Sequence, residues 1–255
     1  MSAHDMPKNL PCFSRESVKM KKILMLLVYY ERPELVKNAL NSIKEMDYDN
    51  WELAFIDDAS QTPGEPIARS ILSERELAKT TFYRCEDSVE QKMAQGGSRH
   101  GQYMNEAIIN SDAEYFVIIC DDDAIRPTYF KELDAVLAQK AYPYMYSKVM
   151  FFNPTRQSYK DATEQATESF AGSTYSINHE HPLRPICMID GSQLVCNVQC
   201  FKDKQVAFPF PRTRMLDAAI YQQLYDLYGD CYPTKLFGLY KAAFAEQMGN
   251  VQIKY

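Results

Sequence analysis

Apolar residues in the first half of the chain come in short dense runs, separated by stretches in which they recur every three or four positions. Ile23-Leu24-Met25-Leu26-Leu27-Val28 is apolar throughout, the pattern of a strand covered on both faces. Pro33 suits a first helical position, and Leu35, Val36, Ala39, Leu40 and Ile43 follow at helical spacing. Trp51 to Ile56 reads as a second strand, 61–66 as a turn, Ile67 to Leu77 as a helix and Thr80 to Arg84 as a third strand. After a glycine-punctuated loop at 95–99, a helix is expected over 101–110, with Met104, Ala107 and Ile108 on one face. Tyr115 to Ile119 is the next buried strand, and Pro127 should open a helix that turns Phe130, Leu133, Val136 and Leu137 inward. Alternating strand and helix predicts an α/β fold, an open and mostly parallel sheet flanked by helices.

The second half is patterned differently. Tyr144 to Phe152 is strand-like and is expected at the edge of the same sheet. Residues 153–182 are polar and aperiodic, a long loop or mobile flap. Phe208 to Pro211 reads as extended, and an amphipathic helix is expected over 214–228 with Leu216, Ala219, Ile220, Leu224 and Leu227 inward.

Ligands of open parallel sheets collect outside the carboxyl ends of the strands. The polar residues of the first half concentrate there: Tyr29-Tyr30-Glu31-Arg32, Asp57-Asp58 and, after Cys120, the run Asp121-Asp122-Asp123. Three adjacent carboxylates at the mouth of a buried strand raise one another's pKa and need positive charge nearby. A divalent cation supplies it, and oxygen ligands suit magnesium or manganese. Taken alone, a solvated acidic turn before a helix accounts for the run equally well.

Composition narrows the class. The chain has 255 residues, 46% hydrophobic and 24% charged, ordinary for a globular domain. No apolar stretch nears the roughly 18 residues of a membrane span, and the polar segment 1–21 lacks the apolar centre of a signal peptide. Seven cysteines without a framework predict free thiols and a cytoplasmic location. A net charge of −6 argues against a general polyanion-binding surface. Even so, Lys148, Arg156, Lys160, Arg184, Lys202, Lys204, Arg212 and Arg214 enrich the second half in cations. Cys196 and Cys200 lack the second pair a zinc site needs, His179-Glu180-His181 reads as a surface cluster, and Cys120 as a small buried residue.

Four motifs in order resemble the nucleotide-sugar glycosyltransferases of the GT-A fold, the inverting family 2 type, over roughly residues 22–240. They are LVYYERPELVKNALNSI (27–43), FIDDAS (55–60), GGSRHGQYMNEAI (96–108) and the acidic run. The resemblance implies a polar extension at 1–21, a nucleotide-sugar-binding half at 22–125 and an acceptor-binding half at 126–255. It implies that Tyr30, Asp57, Asp58, Arg99, Asp121 and Asp122 bind the donor nucleotide. Asp121 and Asp123 would hold Mn2+ or Mg2+ in an Asp-x-Asp arrangement, with Asp122 as an alternative inner ligand. Glu31 departs from the family's asparagine. The family's late metal-ligating histidine has no counterpart in 239–247, where Lys241 is a candidate for the diphosphate.

Met215-Leu216-Asp217 matches the family's catalytic base, so Asp217 is expected to deprotonate the acceptor hydroxyl, with Asp190 and Gly191 at the acceptor or donor sugar. The implied reaction is metal-dependent and inverting, with a nucleotide-diphosphate sugar, a UDP-sugar foremost, as donor and a hydroxyl acceptor, a glycan ahead of a hydroxylated DNA base. Two other readings remain open at this stage. A nucleotidyltransferase would want a glycine-rich loop where the chain has YYERPE, and a non-catalytic relative would need to have kept these carboxylates without using them.

Overall fold

The computed structural model describes residues 20–95, 99–152, 191–203, 206–210 and 216–242. The expected flap at 153–182, the His179–His181 cluster and Asp190 lie outside them. In chain order the elements begin β1 (Ile23–Tyr29), α1 (Pro33–Lys44), β2 (Trp51–Asp57), α2 (Gly64–Ile71), α3 (Glu74–Leu77), β3 (Thr80–Arg84), α4 (Val89–Ala94) and α5 (His100–Asn110). They continue with β4 (Tyr115–Cys120), β5 (Asp123–Ile125), α6 (Tyr129–Leu137), β6 (Tyr144–Phe152), β7 (Leu194–Asn197), α7 (Val198–Lys202), α8 (Leu216–Tyr228) and β8 (Tyr232–Ala242).

The strands form one sheet in the order β3-β2-β1-β4-β7-β6-β8-β5. The first four are parallel, β7 runs against both β4 and β6, and β8 is parallel to β6 and antiparallel to β5. This is the α/β architecture that the alternation predicts. Strand β1 is apolar throughout because it is covered twice. Ile23, Met25 and Leu27 join the core under α1, α2 and α6, while Leu24 and Leu26 join the core under α5, α7 and α8.

The sheet curls. β4 and β5 are separated in sequence only by Asp121 and Asp122, a path of at most about 11 Å, yet they stand four strand positions apart in the order, about 19 Å if flat. The far edge must therefore turn back toward the carboxyl end of β4, and the acidic residues occupy the point of return.

Four expectations are corrected. The helix at 67–77 is two helices, because Leu72 takes an extended ψ of 138° and Ser73 restarts the turn, its N–H donating to Glu76 at 2.7 Å. The helix expected from Pro127 begins at Tyr129, whose N–H donates to the Arg126 carbonyl. β6 lies inside the sheet rather than at its edge, because β8 pairs along its outer side. Leu227, expected inward, is 49% exposed. Strand β8 was not expected at all. Its register against β6 slips twice, Lys235 has φ of +64°, and Pro233 and Gly238 break any alternation.

Gly64 starts α2, its N–H donating to Asp57 Oδ2 at 2.9 Å. A Cβ there would stand 2.5 Å from the Phe55 ring and 2.6 Å from the Tyr29 ring. Gly64→Ala is predicted to lower unfolding free energy by about 1–3 kcal/mol, the usual range for overpacking. Denaturant titration checks this, and an unchanged midpoint would show that the rings give way freely.

Candidate active site

Three loops meet at the carboxyl ends of β1, β2 and β4. After β1 the chain leaves the strand through Tyr30 and Glu31, the latter at φ +53°, and α1 begins at Pro33. This bend turns the Tyr30 N–H onto Asp121 Oδ2 at 2.8 Å. It also carries Arg32 over the acidic run, with Nη1 3.2 Å from Asp121 Oδ1 and 2.8 Å from Asp122 Oδ2. Both oxygens of Asp121 thus hold the β1 loop. Burial pushes its carboxyl up to about 6, against the opposing pull of the Tyr30 N–H and Arg32.

Asp123 is fully buried as the first residue of β5. Its Oδ2 accepts from the Cys120 N–H at 2.9 Å. It pairs in register with Lys241 of β8, whose Nζ is 3.6 Å from Oδ1. Among the described residues, Cys120, Asp122 and Asp123 bring one ligand atom each within 4.8 Å of one another. Two of these donors are carboxylate oxygens and suit magnesium or manganese, while the thiol is a softer ligand less matched to them. The donor set therefore fits a divalent cation. Asp121, expected beside Asp123, has both oxygens turned to the β1 loop.

The Asp57-Asp58 pair divides its work. Asp57 shapes its own loop: Oδ1 accepts from the Ser60 N–H at 2.8 Å, Oδ2 accepts from the Gly64 N–H, and Arg84 pairs with Oδ2. Asp58 faces the other way, with Lys92 Nζ 3.2 Å from Oδ1 and His100 Nδ1 3.5 Å from Oδ2. Its carboxylate lies beside Cys85, whose thiol is pushed up to about 12, chiefly by burial. Lys92 also stands 4.5 Å from the ring centre of Tyr30, which is 44% exposed. The structure thus brings Tyr30 and Asp58 to one patch through Lys92, a residue of α4 that sequence patterning passes over.

Arg99 lies just before α5, held by Asp87 at 2.9 Å and stacked 5.2 Å from the Phe210 ring centre. Asn105, a turn and a half further on, brackets the backbone of Phe208: its Nδ2 donates to the carbonyl at 2.9 Å and its Oδ1 accepts the N–H at 2.8 Å.

Asp217 falls in the first turn of α8 and is half-buried. Its Oδ1 lies 2.7 Å from where a Cβ on Gly191 would stand, so only glycine admits the carboxylate there. The next residue, Ser192, has its Oγ 3.5 Å from Lys241 Nζ. A single turn at 191–193 thereby approaches Asp217 through Gly191 and Lys241, the partner of Asp123, through Ser192. Arg32, as the partner of the acidic run, and Lys92 are the contributors that patterning missed. The available signal for Arg32 was a cation at one strand end facing an acidic run at its neighbour.

A mostly parallel sheet with helices on both faces and acidic residues at the mouth of β4 is the arrangement of GT-A glycosyltransferases, a class the family match establishes for this chain. Residues 25–189 match glycosyl transferase family 2, and the chain belongs to that family. It is 23% identical over 108 residues to protein CgeD of Bacillus subtilis, which covers 42% of this chain and 24% of CgeD. The fold is similar to that of S. aureus TarS 1–349 in complex with UDP-GlcNAc, with a TM-score of 0.64 at 16% identity over 91% of this chain and 62% of that one. It is also similar to the mannosyltransferase PcManGT of Pyrobaculum calidifontis in complex with GDP-Man and Mn2+, with a TM-score of 0.52 at 15% identity over 89% and 57%. The chain thus spans about a quarter of CgeD and less than two thirds of either solved chain. No described helix is long and apolar enough to cross a membrane.

The buried Asp121 carboxyl gives a pH signature. It ionises less readily when folded than at its usual 3.8, so the folded protein keeps a proton there that the unfolded chain has already released. Asp121's contribution to stability is complete below about pH 4 and is lost as the pH rises to about 6. In EDTA, the unfolding free energy of the wild type minus that of Asp121→Asn should decline across that window. A flat or rising difference would mean that Arg32 and the Tyr30 N–H outweigh burial.

Proposed function

We propose that the protein transfers a sugar from a nucleoside-diphosphate sugar, a UDP-sugar in the first instance, to a hydroxyl acceptor with inversion. The observation that carries this reading is the turn at 191–193, which approaches the Asp217 carboxylate through Gly191 and, through Ser192, Lys241, the partner of Asp123 at the β4–β5 junction. A base and a charge-stabilising centre brought to one short turn suit a displacement at an anomeric carbon. Family membership supports the same reaction class, and the similar solved chains were studied with UDP, UDP-GlcNAc, and GDP-Man with Mn2+.

The residues divide the work as follows. Tyr30 offers an exposed ring to the base, and Asp58 offers acceptor oxygens for a ring N–H or ribose hydroxyls. Arg99 brings a cationic fork for the nucleotide or its phosphates. Asp122 and Asp123 would hold a divalent cation, manganese or magnesium, which when bound supplies positive charge to the departing diphosphate. Asp217 takes the proton from the attacking hydroxyl, while Gly191 leaves room for its carboxylate. Asp190 and Gly191 border the donor sugar or acceptor. The acceptor we favour is a glycan, with a hydroxylated DNA base second because the chain is acidic overall.

Titration calorimetry with UDP in the presence of manganese should show binding that requires the metal and is lost in Asp123→Ala. With a UDP-sugar that the wild type turns over, Asp217→Asn should lower kcat by about 10²–10⁴-fold while leaving donor KM within a few fold. UDP binding indifferent to both metal and Asp123 would make the acidic run structural and overturn the mechanism. An Asp217→Asn enzyme of normal rate would remove Asp217 from it.

A further inference from the structure

Each carboxylate of the acidic run already has a protein cation beside it. Arg32 serves Asp121 and Asp122, and Lys241 serves Asp123. Asp122 is the contested group. Its side chain is only 10% exposed, its Oδ2 lies 2.8 Å from Arg32 Nη1, and it also belongs to the three residues whose ligand atoms converge. A guanidinium and a divalent cation drawn to one carboxylate repel each other.

Arg32 does not lose its proton at any accessible pH, so it yields the carboxylate only by moving. It has room to do so. The residue sits ahead of α1, outside the helix body, and its side chain is 43% exposed. A nucleoside diphosphate entering beside Tyr30 changes the balance, since its phosphate oxygens offer negative charge both to an incoming metal and to the displaced fork.

We propose that Arg32 is a built-in counter-cation that holds Asp122 in the donor-free protein and so makes divalent-cation uptake depend on the donor diphosphate. This rests on reading the acidic turn as the metal and diphosphate site, and it adds an order to that site. Metal alone binds weakly, whereas metal and nucleoside diphosphate strengthen each other's binding by the same factor. Arg32 acts through Asp122, as a positioning residue.

The test titrates the intact chain with MnCl2, following free Mn2+ by electron paramagnetic resonance, without UDP and then at saturating UDP. Arg32→Gln keeps a polar side chain and removes the charge. It should bind Mn2+ alone about tenfold more tightly than the wild type, and the gain in Mn2+ affinity caused by UDP should shrink by a similar factor. Arg32→Lys keeps the charge on a point-like ammonium, falls between the two, and decides the matter if the glutamine variant fails to melt cooperatively. A merely structural Arg32 would loosen the β1 loop and weaken Mn2+ binding in both variants, so the sign of the change separates the roles. Mn2+ affinity in a folded Arg32→Gln equal to or below the wild type overturns the proposal and leaves the glycosyltransferase reading intact. A wild type that binds neither Mn2+ nor UDP overturns both.

Discussion

Asp121, Asp122 and Asp123 follow one another through a two-residue turn that is nearly closed to water, and such a turn exists only if donors and cations converge on it. They come from distant segments: the Tyr30 N–H and the Arg32 guanidinium from the loop after β1, the Cys120 N–H from β4 itself, and Lys241 from β8. The turn also links β4 to the far edge of the sheet. The charge that must be neutralised and the strand that must be reached are therefore satisfied at one place. The sheet curls there because the chain has two residues in which to cross.

The neighbouring loop is set by a comparable device. Asp57 spends its two oxygens on the Ser60 and Gly64 N–H groups and on Arg84, which shapes the bend between β2 and α2. The adjacent Asp58 is left facing Lys92 and His100. One aspartate builds the loop so that the other is presented by it. Such preorganisation lowers the entropic cost of ordering a site on ligand arrival.

How much of this was legible in the sequence follows from where the physics is local. β1, β2 and β4 are covered on both faces, so their apolar runs announce them. Their carboxyl-end residues then fall into place once the sheet is parallel. β8 carries no such announcement, since its bulges and Gly238, which leaves space for the Tyr129 ring, erase the alternation. β5 is only three residues long and borrows its first one from the acidic run. For the acidic run, sequence reasoning looked to a metal for the missing positive charge. Arg32 and Lys241 supply part of it from within the chain, and their distance along the sequence hid them. Asn105 matched a motif position, but its two-way bond to Phe208 depends on a segment more than a hundred residues away.

That separation has a consequence for how the molecule comes into being. The contact between Tyr30 and Asp121 closes 91 residues of chain, and the one between Asn105 and Phe208 closes 103. Contacts of such span are reached slowly, because the entropy of closing the loop is spent before any reward arrives. The parallel quartet β3-β2-β1-β4 is complete by residue 120, whereas Lys241 is synthesised near the end of the described chain. A first half that pairs before β8 docks would have Arg32 against Asp121 and Asp122 but would lack the Lys241 counter-charge of Asp123. Such a half would also leave the β4 edge open until β7 pairs with it, the kind of unpaired edge that invites association with neighbours.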